Sequence, residues 1–349
     1  MKKTYYPFLL LFFCVSAFAQ KAYEWDTLKY QKFHSNLIVS LFQSYRNFKN
    51  DFQQFKVPDS LGRSKNLYHA DSRLVTGIEI IYDKFSFGIG LKTKAQDNSA
   101  GKGKSANLNA NLNFGGNIWY FQNTFRYFKG FYDDNTVAHD TTIKQTGQYY
   151  QRPDMENLLF RSKFLYFTNH DKYAFRAGFA GNYRQLKSAG TWIMSANINY
   201  YKLRSDSSFF ALASRPYYGD YASMQSLRVF GVSFNVGAAA TLVIMKGFFI
   251  NGMFILGPEQ QWRKYGYNDK SSALSYISVS GDLRFSMGFN LKYCYFMIFN
   301  TNDFAVYNSS YVGLTNSSIT GGFAFGLRFD SGMPEFYKKF QKTKFYTSI

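Results

Sequence analysis

Polar and apolar residues alternate along most of the chain, most clearly from Lys104 to Phe128. Asn107, Asn109, Asn111 and Asn113 interleave with Leu108, Ala110, Leu112 and Phe114. After Gly115-Gly116-Asn117 the pattern resumes, with Trp119, Phe121, Phe125 and Tyr127 set against Gln122, Thr124 and Arg126. Successive side chains of a strand point to opposite faces, so each half predicts a strand with one apolar and one polar face. The glycines and Asn117 between them accept positive φ cheaply and predict a tight hairpin turn. Asn is a poor strand former, and a row of it suits a wet interior better than a packed core. Strands that are apolar outside, polar inside and aromatic near their ends describe an outer-membrane barrel.

The same unit recurs along the chain. Beyond the two hairpin strands, alternation predicts strands at 36–45, 73–82, 85–93, 157–167, 173–183 and 191–203. It continues at 208–213, 228–244, 248–256, 275–289, 293–300 and 317–329. The fold expected is all-β: a single antiparallel transmembrane β-barrel of about 14 strands. The segment at 208–213 is the weakest of these, and a regrouping without it gives about 12. Long and short connections alternate, as they do where long loops face outside and short turns face the periplasm. An even strand count then leaves both chain ends in the periplasm.

Composition sharpens this picture. Aromatic residues make up 21% of the chain, with 39 Phe and 29 Tyr, yet the mean hydropathy is only −0.30. That combination fits a barrel in which every second residue meets lipid. A soluble β-sandwich also alternates, but the aromatic content and the number of strands argue against it. Lys2 and Lys3, the apolar run Phe8–Val15 and Ala17-Phe18-Ala19 have the layout of a secretory signal. The expected organisation is a signal peptide at 1–19, a periplasmic lead at 20–33, the barrel at 34–329 and a basic periplasmic tail at 330–349. Cleavage after Ala19 leaves Cys294 as the one cysteine, so no internal disulfide is expected. In the tail, Lys338, Lys339, Lys342 and Lys344 are interleaved with Phe336, Tyr337, Phe340, Phe345 and Tyr346. That segment reads either as a contact for anionic lipid heads or a partner, or as a frayed basic end.

The formal net charge is +19. Export removes nucleic acid as a partner, which leaves outer-membrane lipid, lipopolysaccharide phosphates, a small anionic solute or an envelope protein. Charges are expensive on the lipid face, so Glu79, Lys92, Arg126, Arg161, Lys163, Arg176, Asp282, Arg284 and Arg328 are expected to point into the lumen. They predict either an anion-attracting passage or an internal network of ion pairs. Tyr149, Tyr150, Tyr217, Tyr218, Tyr221, Tyr265 and Tyr267 fall in loops. They read as sugar-stacking platforms or, preferably, as loop packing. The histidines are His34, His69, His139 and His170, and none has metal-ligand spacing to another. No nucleophile with an aligned base is visible, so neither a cofactor nor enzymatic activity is expected. His34-Ser35-Asn36 has the residue types of outer-membrane phospholipases, without their flanking pattern. It keeps a lipid-modifying enzyme as a third alternative.

Four short motifs in order carry a family resemblance. They are Asp83-Lys84-Phe85-Ser86-Phe87-Gly88, Lys129-Gly130-Phe131-Tyr132, Arg152-Pro153-Asp154-Met155 and Ser188-Ala189-Gly190-Thr191-Trp192. The chain resembles a Bacteroidota family of outer-membrane barrels known only as a domain of unknown function. The resemblance implies location and fold, and it offers no catalytic residues. Taken together, the expected function is a channel or small-solute transporter with a basic lumen. The alternative is a non-conducting barrel that displays loops or anchors an envelope complex.

Overall fold

The computed structural model describes residues 29–54, 64–70, 74–93, 101–245, 247–267, 270–306, 312–344 and 346. The expected signal peptide and most of the lead lie outside these residues. In chain order the strands begin with β1 (Tyr30–Lys32), β2 (Asn36–Gln54), β3 (Lys65–His69), β4 (Leu74–Tyr82) and β5 (Phe85–Lys92). Next come β6 (Ala106–Gly115), β7 (Trp119–Asp133), β8 (Tyr150–Phe167), β9 (Tyr183–Gln185) and β10 (Ala189–Arg204). The last are β11 (Ser226–Met245), β12 (Phe248–Gly266), β13 (Ser271–Asn290), β14 (Cys294–Val306) and β15 (Val312–Asp330). All pairings are antiparallel between neighbours, and β15 pairs back onto β2 from Val312↔Gln54 to Asp330↔Asn36. The result is a closed barrel of twelve strands, with β1, β3 and β9 as extras. Closure removes every sheet edge, which a lipid-embedded sheet requires because lipid offers no hydrogen bonds.

Twelve is the smaller of the two expected counts, and two segments account for the difference. Residues 208–213 form irregular backbone at the loop end instead of a strand. Residues 173–183 leave the wall: Phe175–Phe179 is a short helix and Tyr183–Gln185 pairs with β1. Their alternation is real, but Ala174, Ala177, Gly178, Ala180 and Gly181 give half of the segment side chains too small to hold a lipid-facing strand. Small side chains let it pass close to other backbone inside the barrel.

The wall is uneven. β11 and β13 run 20 residues each, whereas β5 has 8 and β4 has 9. About 10 residues suffice to cross a membrane, so the long strands project well past it. Where β4 stops, the upper half of β2 would be left as an edge. β3 covers that edge, pairing Lys65–His69 with Lys49–Gln53 and bridging to Tyr132 and Asp133 of β7.

Lipid-facing positions follow the expected parity. Phe285, Phe254, Phe234, Trp192, Ile198 and Phe323 are exposed around the outside, while Ser286, Asn235, Asn197 and Asn109 on the opposite faces are buried. No helix among the described residues is long and apolar enough to span a membrane; the crossings are strands.

Candidate functional site

The interior has three layers. At the loop end, the inward residues Phe48, Phe52, Phe128, Met155, Leu159, Tyr201, Leu203 and Leu227 meet the loop residues Phe209, Phe210, Tyr218 and Met224. They form one apolar core, with the Phe210 and Tyr218 rings stacked at 3.6 Å. Tyr150, Tyr217, Tyr221 and Tyr267 pack against it, so these loop tyrosines serve packing. Arg152 holds the lid in place. Its guanidinium grips Asp154 through two bonds, of 3.0 and 2.9 Å, and donates to the Ser208 carbonyl at 2.5 Å. The Asp206 amide donates back to Asp154 at 3.0 Å. The Arg152-Pro153-Asp154 motif therefore fixes the loop after β10.

At the turn end, residues 168–188 fold into the mouth as a plug. Tyr173 and Phe175 pack against Tyr120, Leu165, Ile193, Met253 and Ile255 of the wall. A plug inside a barrel has backbone groups with no ladder to join, and buried carbonyls need donors. Inward side chains of the wall and of the turn between β6 and β7 supply them. Asn117 donates to the His170 and Tyr173 carbonyls, both at 2.6 Å, and Ser286 donates to Gly178 at 2.5 Å. Asn290 donates to Ala177 at 3.1 Å and to Tyr183 at 2.9 Å. Arg328 donates to the Gly181 carbonyl at 3.1 Å. Gly181 has φ +70°, and a Cβ there would lie 2.2 Å from the Tyr295 ring.

Between lid and plug lies a cavity of about 210 Å³, bounded by Leu159 above and Phe179 below. By volume it holds on the order of ten waters. Its walls are charged: Arg46, Arg126, Arg161, Lys163 and Arg284 face Glu79 and Asp303, with Asn109, Asn111 and Asn113 along one side. Asp303 accepts from Arg126 at 3.3 Å, Arg161 at 3.0 Å and Lys163 at 3.0 Å. Asp282 accepts from Lys163 and from Arg284, both at 2.6 Å. A polar chain runs up the wall from there. Arg161 donates to Asn199 at 2.7 Å, Asn199 to Glu259 at 3.0 Å, and Gln261 to Glu259 at 2.9 Å. Arg263 closes the chain on Gln261 at 2.9 Å.

Arg46 is only 8% exposed, and among the described residues its Nε and Nη1 have no hydrogen-bond partner; Arg126, paired with Asp303, leaves only its Nε open. Five cations stand against Glu79, Asp282 and Asp303, which leaves a surplus of two positive charges around the cavity.

Of the nine residues expected in the lumen, Glu79, Arg126, Arg161, Lys163 and Arg284 line this chamber, and Asp282 braces two of them. Lys92 sits apart at the loop end, donating to the Ser105 carbonyl at 3.2 Å. Arg328 belongs to the plug contact. Arg176 was expected on a wall strand but sits on the plug helix, fully buried, donating to the Gly115 carbonyl at 2.8 Å. Sequence reasoning missed Arg46 and Asp303. It ended one strand at Tyr45 and another at Asn300, where the structure carries them on to Gln54 and Val306. Carrying the parity on from Ser44 and from Phe299 would have turned both residues inward.

The histidines do not meet. His34 bonds to Asp83 at 2.9 Å in the turn between β4 and β5, and His139 lies 3.4 Å from Asp133 beyond β7. Among the described residues no three His, Cys, Asp or Glu are grouped to hold a metal.

The sequence matches the family described as domain of unknown function DUF4421 over residues 24–329. The chain belongs to that family. No curated relative matches it. Among solved structures, this DUF4421 chain is similar to the outer membrane protease OmpT from Escherichia coli, at 8% identity and TM-score 0.37, covering 86% of this chain and 98% of that one. It is also similar to the COG4313 outer membrane channel from Pseudomonas putida F1, at 9% identity and TM-score 0.35, covering 88% and 100%. A third is the translocator domain of the autotransporter NalP from Neisseria meningitidis, at 10% identity and TM-score 0.36, covering 92% and 95%. Because a protease stands among these barrels, the expectation that the chain is not an enzyme is withdrawn. The likeness is one of strand arrangement and assigns no catalytic residue. The DUF4421 chain is an outer-membrane β-barrel, filled at both ends around a basic chamber.

Proposed function

We propose that the protein is a plugged outer-membrane channel that admits a small anionic solute, with the central chamber as its binding site. The loop end faces outside and the turn end faces the periplasm, as loop lengths favour. Cleavage of residues 1–19 and an origin in Bacteroidota are part of this reading. Arg46 carries it. Burying a guanidinium with open donors is costly unless an anion arrives to take them, and a carboxylate or phosphate oxygen can accept a charge-assisted bond from Nε or Nη1. The neighbouring cations already neutralise Asp282 and Asp303, so the surplus charge is left for the solute. Lid and plug keep the resting path closed, and passage requires one or both to move.

The test combines binding and conductance. Succinate and inorganic phosphate are expected to raise the temperature at which the refolded barrel loses its folded gel mobility. Arg46→Gln is expected to abolish that rise while leaving the barrel folded. In planar bilayers the wild type should stay closed except for brief anion-selective openings. Equal stabilisation of wild type and Arg46→Gln by anions, or none in either, would refute the chamber as a binding site. The apolar lid favours one second reading, a sealed barrel that displays its loops. Anion binding without any opening would favour that barrel over a channel.

A further inference from the structure

The tail after β15 does not hang free. It crosses under β2, where the Tyr82 hydroxyl donates to the Gly332 carbonyl at 2.9 Å. It then forms a helix, Glu335–Gln341, against the outside of the wall. Tyr337 packs edge-on to Tyr82 at 5.0 Å, and Phe340 lies 6.1 Å from Phe85. Tyr82 and Phe85 belong to the outward face, on the same parity as the exposed Ile80 and Phe87. They begin an aromatic band that continues through Phe114, Phe121 and Phe164, with successive centroid distances of 6.4, 4.9 and 5.0 Å. Such a band marks the level where acyl chains give way to headgroups. The tail is clamped at that level. The Tyr337 hydroxyl donates to Asp83 at 2.9 Å, the Tyr346 hydroxyl donates to the same carboxylate, and Lys84 donates to the Tyr346 carbonyl at 2.8 Å.

The helix's other face is unlike a surface made for water. Phe336 is 73% exposed, and Lys338, Lys339 and Lys342 are exposed around it. Glu335 is the acidic residue of the helix, bonded to Lys338 at 2.7 Å. An exposed aromatic ring beside a cluster of lysines is the make-up of a segment lying in a membrane interface. We propose that residues 335–344, with Tyr346, form a binding collar for anionic glycerophospholipid of the periplasmic leaflet. Lys338, Lys339 and Lys342 hold the headgroup phosphate, and Phe336 enters the acyl boundary beside the aromatic band. The proposal needs the turn end to be periplasmic and is independent of what the chamber binds.

The experiment places the full barrel in nanodiscs of mixed phosphatidylglycerol and phosphatidylethanolamine and counts retained lipids by native mass spectrometry. The wild type is expected to keep phosphatidylglycerol in preference by about tenfold or more, given the attraction of each lysine near an anionic surface. The triple change Lys338→Gln, Lys339→Gln, Lys342→Gln should erase the preference, and Phe336→Ala should weaken it. Both variants keep Tyr337, Phe340 and Tyr346, whose contacts with Asp83, Tyr82 and Phe85 hold the tail docked. A photoactivatable phosphatidylglycerol on the wild type should crosslink within 335–346. Equal retention by wild type and triple variant, or crosslinks confined to other parts of the wall, would each overturn the proposal.

Discussion

Asp303 shows how one residue balances the chamber. It accepts from three cations, Arg126, Arg161 and Lys163. Its neutral replacement would leave those charges facing one another at close range. Removing one partner of a buried ion pair is costly because the other stays buried. The site is partly hydrated, so we expect Asp303→Asn to destabilise the barrel by on the order of 2 kcal/mol, below the full cost of a dry pair. The measurement is urea unfolding followed by tryptophan fluorescence. The same substitution should tighten binding of succinate or phosphate, because an added anion then replaces the lost carboxylate. A destabilised variant whose anion affinity falls would show that Asp303 orders the arginines for the ligand instead of competing with it. Arg46 and Asp303 were legible in principle, since parity alone aims them inward. Their roles were not, because they depend on which charges lie across the lumen.

Among the elements, the plug decides whether the barrel is open. Its alternating Tyr173, Phe175, Phe179 and Tyr183 read as a strand, and the small residues between them were the overlooked signal. Local pattern cannot separate a lipid-facing strand from a segment that buries both faces inside a barrel, since both are rich in aromatics. Gly181 is the point at which the plug is most sensitive. Its φ of +70° and the Tyr295 ring 2.2 Å from a would-be Cβ exclude a larger residue. The left-handed conformation alone costs a non-glycine residue about 1–2 kcal/mol. Gly181→Val is therefore expected to loosen residues 168–188 while the twelve-strand wall stays closed. Protease added from the turn end should then cut within 168–188, and conductance in planar bilayers should rise. Unchanged protection and conductance would mean that lid and wall close the path without the plug.

At the scale of the whole molecule, Asp83 ties together parts distant in sequence. His34, Tyr337 and Tyr346 bond to its carboxyl, and Asn182 of the plug donates to its carbonyl at 2.6 Å. Burial works to raise the carboxyl, but the hydrogen bonds from His34, Tyr346 and Tyr337 and the charge of His34 outweigh it and hold it below the ordinary carboxylate value. A lowered folded value stabilises the docked tail fully above the unfolded value, about pH 4, and that stability is lost as pH falls through the lower folded value. Tail release should therefore appear only in acid, as trypsin cleavage or hydrogen exchange at 335–346 after a brief acid pulse. Asp83→Asn should free the tail at neutral pH. A tail that stays protected in that variant would place its anchorage in the ring contacts alone.

The alternation of Asn107 to Asn113 with Leu108 to Phe114 was enough to establish a wet-cored barrel, because strand geometry converts every second position into a face. Connection lengths and inward charges followed from the same periodicity. The sequence did not decide that residues 173–183 and 208–213 leave the wall, that Arg176 and Arg328 hold a plug, or that Arg46 has open donors beside two neutralised aspartates. Those facts rest on pairings between residues on opposite sides of the lumen, such as Lys163 with Asp282 and Arg328 with Gly181. A periodic pattern records which way a side chain points, and only closure of the sheet determines what it meets there.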